Sequence, residues 1–312
     1  MPELPDLTIY IESLQTRIVG QRLENIRLGN PFILRTFDPP LSSASGKIVK
    51  HVWRIGKRIV IELEDELFII VHLMIAGRFH WKKPKVKIGG KVCHAGFDFA
   101  TGTLLLTEAS TKKRASMHLV RGRTELSQFD RGGLEVLDSS LPSFRETLVR
   151  ENRTLKRALT DPRLFSAIGN AYSDEILHHA KLSPLKLTRQ LTSEEISNLH
   201  HSTLSTLNEW TERLRRRTGA GFPEKVTAFH PEMAVHGRFG EPCPVCGSKV
   251  QRIVYAENEC NYCPRCQTGG KMLSDRSLAR LLKDDWPKTI DDLELAESRS
   301  SHNGPVKRTT GS

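Results

Sequence analysis

The chain has 312 residues and a mass of 35.2 kDa, room for two or three domains at roughly 100–200 residues each, and its 38% hydrophobic and 27% charged residues exclude general disorder. An excess of 47 Lys and Arg over 36 Asp and Glu gives a formal charge of +11 and a pI of about 9.5, which points to a polyanionic partner, nucleic acid ahead of a membrane. No run reaches the roughly 18 apolar residues of a membrane span, and MPELPDLTIY lacks the basic-then-apolar layout of a secretory signal, so an intracellular location is expected.

From Leu4 to Ile18 the apolar residues Leu7, Tyr10, Ile11, Leu14 and Ile18 recur at helical spacing and predict one amphipathic helix. Beyond Gly20 the pattern changes to period two and short β-branched runs: RLENIRLG, GKIVKHVWRI, RIVIEL, LFIIVHL and TLLLTE. These predict a β-sandwich from residue 20 to about 137, in which Trp81 to Lys91, with five lysines and Pro84, reads as a solvated basic loop. Helical periodicity returns between Leu141 and Arg217, where Ser143 with Glu146 and Thr192 with Glu195 fit the capping box that satisfies free amides at a helix start. A last helical stretch is expected over Ser274 to Lys283, followed by an acidic segment and a polar, disordered end.

Cys243-x2-Cys246 and Cys263-x2-Cys266 are separated by sixteen residues, the spacing of a four-thiolate zinc site with a hairpin between its two knuckles. A redox dithiol needs only one such pair, and a reducing compartment disfavours disulfides. With all four positions filled by Cys, the zinc is structural, leaving no open place for a catalytic water. Cys93 and Cys260 fall outside the pairing; buried free thiols are the simpler account, although Cys260 is near enough to be an accidental ligand.

Pro2 follows the initiator Met, whose removal leaves a secondary amine. An α-amine has a pKa of about 7.7–8.0 against about 10.4 for Lys, so much more of it is unprotonated at neutral pH. Attack on the anomeric carbon of a sugar gives an iminium that is cationic without further protonation, and Glu3 beside it is placed to move protons. Taken alone, the Pro2-Glu3 pair is weak evidence, since Pro at position two is common and an unremarkable chain start is the simpler account.

In combination, MPELPDL, RIGKR at 54–58, IGNAYSDEIL at 168–177, VHGRFGEPCPVCG at 235–247 and the second Cys pair resemble the formamidopyrimidine-DNA glycosylase and endonuclease VIII family of base-excision repair enzymes. The resemblance runs in order from residue 2 to about 267, some 85% of the chain. It implies an α+β multidomain protein: an N-terminal β-sandwich with a leading helix (1–137), a helical helix-two-turn-helix domain (138–235), a C-terminal zinc finger (236–272) and an extension (273–312), with DNA between the halves. By position, Pro2 matches the nucleophile that displaces the damaged base and forms a Schiff base. Glu3 matches the general acid/base and Lys57 a lysine that contacts phosphate and assists strand cleavage. Asn170 matches a phosphate-binding asparagine at a helix start, where helix amides also favour an anion. Glu175 matches an acidic position expected to be structural.

Several positions depart from the family pattern. Where relatives that excise oxidised purines carry an Arg-Phe pair, this chain has STKKRAS at 110–116, so Lys112, Lys113 and Arg114 are candidate phosphate contacts and no Phe is available as a wedge. Met74 or Ile75, in HLMIAGR, is the replacement wedge unless both lie on a buried strand. Asp6 stands where Glu is usual, and Asn258 where the zinc hairpin presents Arg; Arg252 is the candidate substitute. The resemblance implies a bifunctional DNA glycosylase and abasic-site lyase acting on damaged double-stranded DNA as a monomer, cytoplasmic and nucleoid-associated in the bacterial manner. Elimination is of the β or β,δ kind, with oxidised pyrimidines, ring-opened purines and abasic sites all open as substrates. The alternative is a non-catalytic binder of distorted DNA on the same fold; a small-molecule enzyme using N-terminal Pro as a base fits neither the zinc site nor the charge.

Overall fold

The structure, a computed structural model, describes residues 1–224, 226–227, 229–255, 258–274 and 287–295. Residues 275–283 of the expected helix, half of the acidic segment and the polar end fall outside these residues. Leu7, Tyr10, Leu14 and Ile18, spaced three or four apart, are fully buried, and this stripe directs the first helix, α1 (Leu4–Ile18), into the core. Eight strands follow: β1 (Asn25–Leu28), β2 (Val49–Ile55), β3 (Arg58–Leu63), β4 (Leu67–His72), β5 (Gly77–Lys82), β6 (Cys93–Phe99), β7 (Gly102–Glu108) and β8 (Ser116–Arg121). They form two antiparallel four-stranded sheets, ordered β1-β6-β7-β5 and β2-β3-β4-β8. Between the sheets α1 meets Ile59, Ile61, Ile69 and Val71 of one and Phe79, Phe97, Leu104 and Leu106 of the other.

The second sheet is buried on both faces, which explains why RIVIEL and LFIIV read as near-continuous apolar runs. Ile59, Ile61 and Leu63 point to the main core, while Val60, Phe68, Ile70 and Val120 pack with Phe129 from the 3-10 segment Arg123–Phe129 on the other face. The basic loop expected to begin at Trp81 starts later. Trp81 and Lys82 end β5, opposite Leu104 and Thr103, and the Trp81 indole lies where Gly102 has no side chain.

The helices are α2 (Leu141–Val149), α3 (Leu155–Thr160), α4 (Asn170–His179) and α5 (Ser193–Thr218). Ser143 is not the cap of α2: Ser140 is, its Oγ accepting from the Ser143 amide at 3.3 Å, with Pro142 in the first turn where a missing amide costs nothing. At α5 the expected capping box is present in both directions, the Thr192 amide donating to Glu195 Oε2 at 2.9 Å and the Glu195 amide to Thr192 Oγ1 at 3.2 Å. The cysteine segment holds the hairpin β9 (Gln251–Tyr255) and β10 (Asn258–Tyr262), then α6 (Pro264–Thr268).

Two compact units result, one from residues 1–150, 158–169 and 203–230, the other from 151–157, 170–202 and 231 onward. Among the described residues no helix is long and apolar enough to cross a membrane. Because Gly102 is closed over by Trp81, Gly102→Ala is expected to destabilise the first unit by about 1–3 kcal/mol through overpacking, read from urea unfolding followed by circular dichroism. An unchanged midpoint contradicts this packing.

Candidate active site

In the first unit, the chain start is tied down from both sides. The Leu4 amide donates to the Ala167 carbonyl at 3.0 Å, and the Glu3 amide to Asp6 Oδ2 at 2.9 Å. Asp6, despite lacking one carbon relative to Glu, thus closes the first turn of α1. Pro2 is buried, and Glu3 is only 3% exposed. The Glu3 carboxylate accepts from the Gly169 amide at 2.6 Å, a charge-assisted bond that fixes its direction.

Lys57 arrives from the sandwich. It occupies the two-residue turn of the β2–β3 hairpin, where Ile55 pairs with Arg58 and Gly56 takes the positive φ (56°) that such a turn demands. A methyl group added at Gly169 would sit 2.5 Å from Glu3 Cδ and Oε1 and 2.6 Å from Lys57 Nζ. The carboxylate and ammonium therefore converge on one backbone atom, and only a residue without a side chain fits there. Burial lowers the pKa of the Met1 α-amine below 8.0; Glu3 and Asp6 oppose this shift, and Arg78 and Lys57 add to it. His72, across the ladder from Arg58, is also pushed down, to about 4, by burial and by the nearby charges of Arg58 and Lys57. An amine favoured in its free form thus lies beside a carboxylate and a lysine.

Gly169, Arg78 and His72 were not singled out from sequence. The first lay inside IGNAYSDEIL without a chemical group to draw notice, and the other two within HLMIAGR, read only for a wedge. That segment is a turn, not a buried strand. Met74 takes a left-handed conformation (φ 53°), and Gly77 returns its amide to the Leu73 carbonyl at 2.8 Å, too close for a side chain. Ile75 at the tip is 56% exposed. Lys112, Lys113 and Arg114 lie exposed on the β7–β8 loop, whose shape is set from beneath: buried Glu108 accepts from the Arg114 amide at 2.9 Å and the Ala115 amide at 3.2 Å.

The remaining candidates lie in the second unit. Asn170 opens α4 with its side-chain amide donating to the Glu259 carbonyl at 2.9 Å and its own carbonyl accepting from Lys156 Nζ at 2.6 Å. Arg252 is on β9, 4.3 Å above the Phe239 ring and 3.2 Å from Glu259. Glu175 accepts from the amides of Ala234, Val235 and His236 at 2.7–2.9 Å, and burial raises its pKa: a structural clasp.

The sulfurs of Cys243, Cys246, Cys263 and Cys266 all lie within 4.8 Å of one another, with Cys243 to Cys266 at 3.9 Å and Cys246 to Cys263 at 3.4 Å. A tetrahedral zinc with Zn–S of about 2.3 Å requires about 3.8 Å between sulfurs, so the cage fits the ion. Cys260 packs with Ile253 and Tyr262 outside the cage, and Cys93 is likewise a buried free thiol.

Three family models match in order: the formamidopyrimidine-DNA glycosylase N-terminal domain over residues 1–117, its H2TH domain over 134–218, and the zinc finger found in FPG and IleRS over 240–269. A formamidopyrimidine-DNA glycosylase of Bacillus cereus is 30% identical over 276 residues, covering 86% of this chain and 99% of the relative. The chain belongs to the formamidopyrimidine-DNA glycosylase family. Among solved structures, Lactococcus lactis Fpg in complex with abasic-site DNA superposes with a TM-score of 0.75 at 29% identity, covering 85% of this chain and 99% of that one. The same enzyme with DNA containing an oxidised pyrimidine gives 0.74 at 29%, covering 86% and 100%. The protein is a DNA glycosylase of damaged-DNA repair with abasic-site lyase activity, and its four-cysteine cage is a structural zinc site.

Gly169→Ala is expected to drive Glu3 and Lys57 apart and slow single-turnover base excision about 100-fold, the cost of misplacing a reacting group by about 1 Å, with zinc content unchanged. A rate within twofold of wild type would contradict the convergence.

Proposed function

We propose that Pro2, once Met1 is removed, is the nucleophile, Glu3 the proton carrier and Lys57 the cation at the scissile backbone. The observation that carries this reading is the meeting of the Glu3 carboxylate and Lys57 ammonium at Gly169, in the unit that buries the chain start. The Pro2 nitrogen lone pair forms a bond to C1′ of the damaged nucleotide, and the electrons of the glycosidic bond leave on the base, which takes a proton from Glu3. The Pro2 nitrogen then gives its proton to the Glu3 carboxylate, its lone pair forms a double bond to C1′ as the C1′–O4′ bond breaks, and O4′ takes that proton from Glu3, so the sugar ring opens to an iminium, cationic because the amine is secondary. It labilises the C2′ proton; the Glu3 carboxylate removes it, and the C3′–O bond breaks with its electrons on the leaving phosphate. Lys57 offsets the charge that develops there, and water then hydrolyses the iminium to free the amine.

The substrate is double-stranded DNA containing damaged bases or abasic sites, a reading supported by the DNA bound to the Lactococcus lactis enzyme. Ile75, on its preset turn beside Met74, is the apolar wedge, supported by its exposure. Lys112, Lys113, Arg114 and Asn170 contact phosphate, and Arg252 joins them by exchanging Glu259 for a phosphate. The functional divisions are a catalytic sandwich (1–137), the helical domain (138–235), the zinc finger (236–272) and an extension (273–312), acting as a monomer in the bacterial cytoplasm on the nucleoid.

Borohydride, which reduces an iminium to a permanent link, tests the central step. A covalent band is expected on a duplex with one abasic site, absent on the intact duplex and absent when an added residue blocks Pro2. No band from zinc-loaded protein with Met1 removed would overturn the assignment. The pH profile adds a second check. Burial holds the Met1 amine below its ordinary value, and Pro2, one residue on, is itself buried, so the Pro2 amine left by Met1 removal is expected to give the acid limb of single-turnover trapping a midpoint below about 8. A midpoint at or above 8 would count against a buried amine.

A further inference from the structure

We propose that His178 is a positioning residue for the zinc site, donating its ring Nε2–H to the Cys243 thiolate. The ring nitrogen lies 3.3 Å from Cys243 Sγ, and both residues are sealed from water, at 6% and 2% exposure. A divalent zinc with four thiolates carries two negative charges, and at the two buried sulfurs, those of Cys243 and Cys263, that charge must be met by donors. The main chain serves two of the sulfurs: the Cys266 amide points at Cys263 Sγ at 3.5 Å, and the Ser248 amide at Cys246. His178 serves a third. A metal-bound thiolate has no proton to give, so the bond is made only with the proton on Nε2, which fixes the tautomer.

The bond also says which helix is coupled to the metal. Helix α4 presents Asp174, Glu175 and His178, one turn apart, to the cysteine-bearing segment. Asp174 Oδ2 lies 2.8 Å from His236 Nδ1 and accepts from the Asn261 amide at 3.2 Å, and Glu175 holds the three amides of residues 234–236. Of these, His178 alone touches a zinc ligand, so the charge on the thiolates bears directly on the helix that begins at Asn170.

Full-length His178→Phe and His178→Gln proteins test the assignment. His178→Phe is expected to lose zinc to a chromogenic chelator about 10-fold faster than wild type, and His178→Gln, which keeps a donor, to lie between them. In cobalt-loaded protein the sulfur-to-cobalt charge-transfer band is expected at lower energy in His178→Phe, because a thiolate without a donor holds its electrons less tightly; altered packing alone does not move that band. In wild-type protein loaded with cadmium-113, the ring proton on Nε2 is expected to show coupling to the metal. That measurement decides the matter if His178→Phe does not fold. Unchanged zinc loss and an unchanged cobalt band, or a wild-type Nε2 without a proton, would overturn the proposal. None of these readouts depends on the chemistry of Pro2.

Discussion

The bond from the Gly169 amide to the Glu3 carboxylate is the contact on which the candidate active site depends. It aims a buried acid, and it does so from a residue whose missing side chain also admits Lys57. The rest of the first unit serves this meeting. Helix α1, buried along its whole apolar stripe, fixes where the chain begins; the β2–β3 hairpin fixes where Lys57 ends; and the Ala167 carbonyl, taking the Leu4 amide, brings the loop before Gly169 onto the helix start. Residues far apart in the sequence thus form one group, and preorganisation of this kind contributes to catalysis because no reorganisation is needed when charge develops.

The second unit adds buried acids to its apolar core. Asp174 and Glu175 are almost fully buried, and each is answered: Asp174 by Lys156 at 2.5 Å and by His236, Glu175 by three backbone amides. Replacing any one partner would leave a buried group unmatched, which costs far more than an intact pair contributes. The zinc cage and this network meet at the same short helix, α4, which bonds to Cys243 through His178 and to the hairpin through Asn170.

Much of this was legible in the sequence where a single physical rule acts alone. The stripe from Leu7 to Ile18 gave the first helix to the residue, the cysteine spacing gave the cage, and Thr192 with Glu195 gave the cap of α5. Elements whose signals overlap were harder to read. Strand β6, CHAGFDF, is buried at every position and so shows no alternation, and β8 follows a charged loop that hides its start. Ser143 drew the cap of α2 because Glu146 stood at the right spacing, but Ser140 lies before Pro142, and the proline fixes the first turn. The geometry at Gly169 was illegible, since nothing in a glycine announces that two distant side chains need its empty space. The family resemblance singled out Lys57 as a candidate, yet only the fold shows that it meets Glu3 at Gly169.

The hairpin that carries Lys57 has a consequence for how the enzyme matures. Side chains alternate along β2 and β3, so a slip of one residue in their pairing would turn Lys57 to the opposite face and remove it from Glu3. Helix α4 and the zinc cage would survive such an error, since both belong to the other unit. Metal content and helical signal therefore report that the chain has folded, whereas strand-cleaving activity per bound zinc reports that its sheet has found the correct partner alignment.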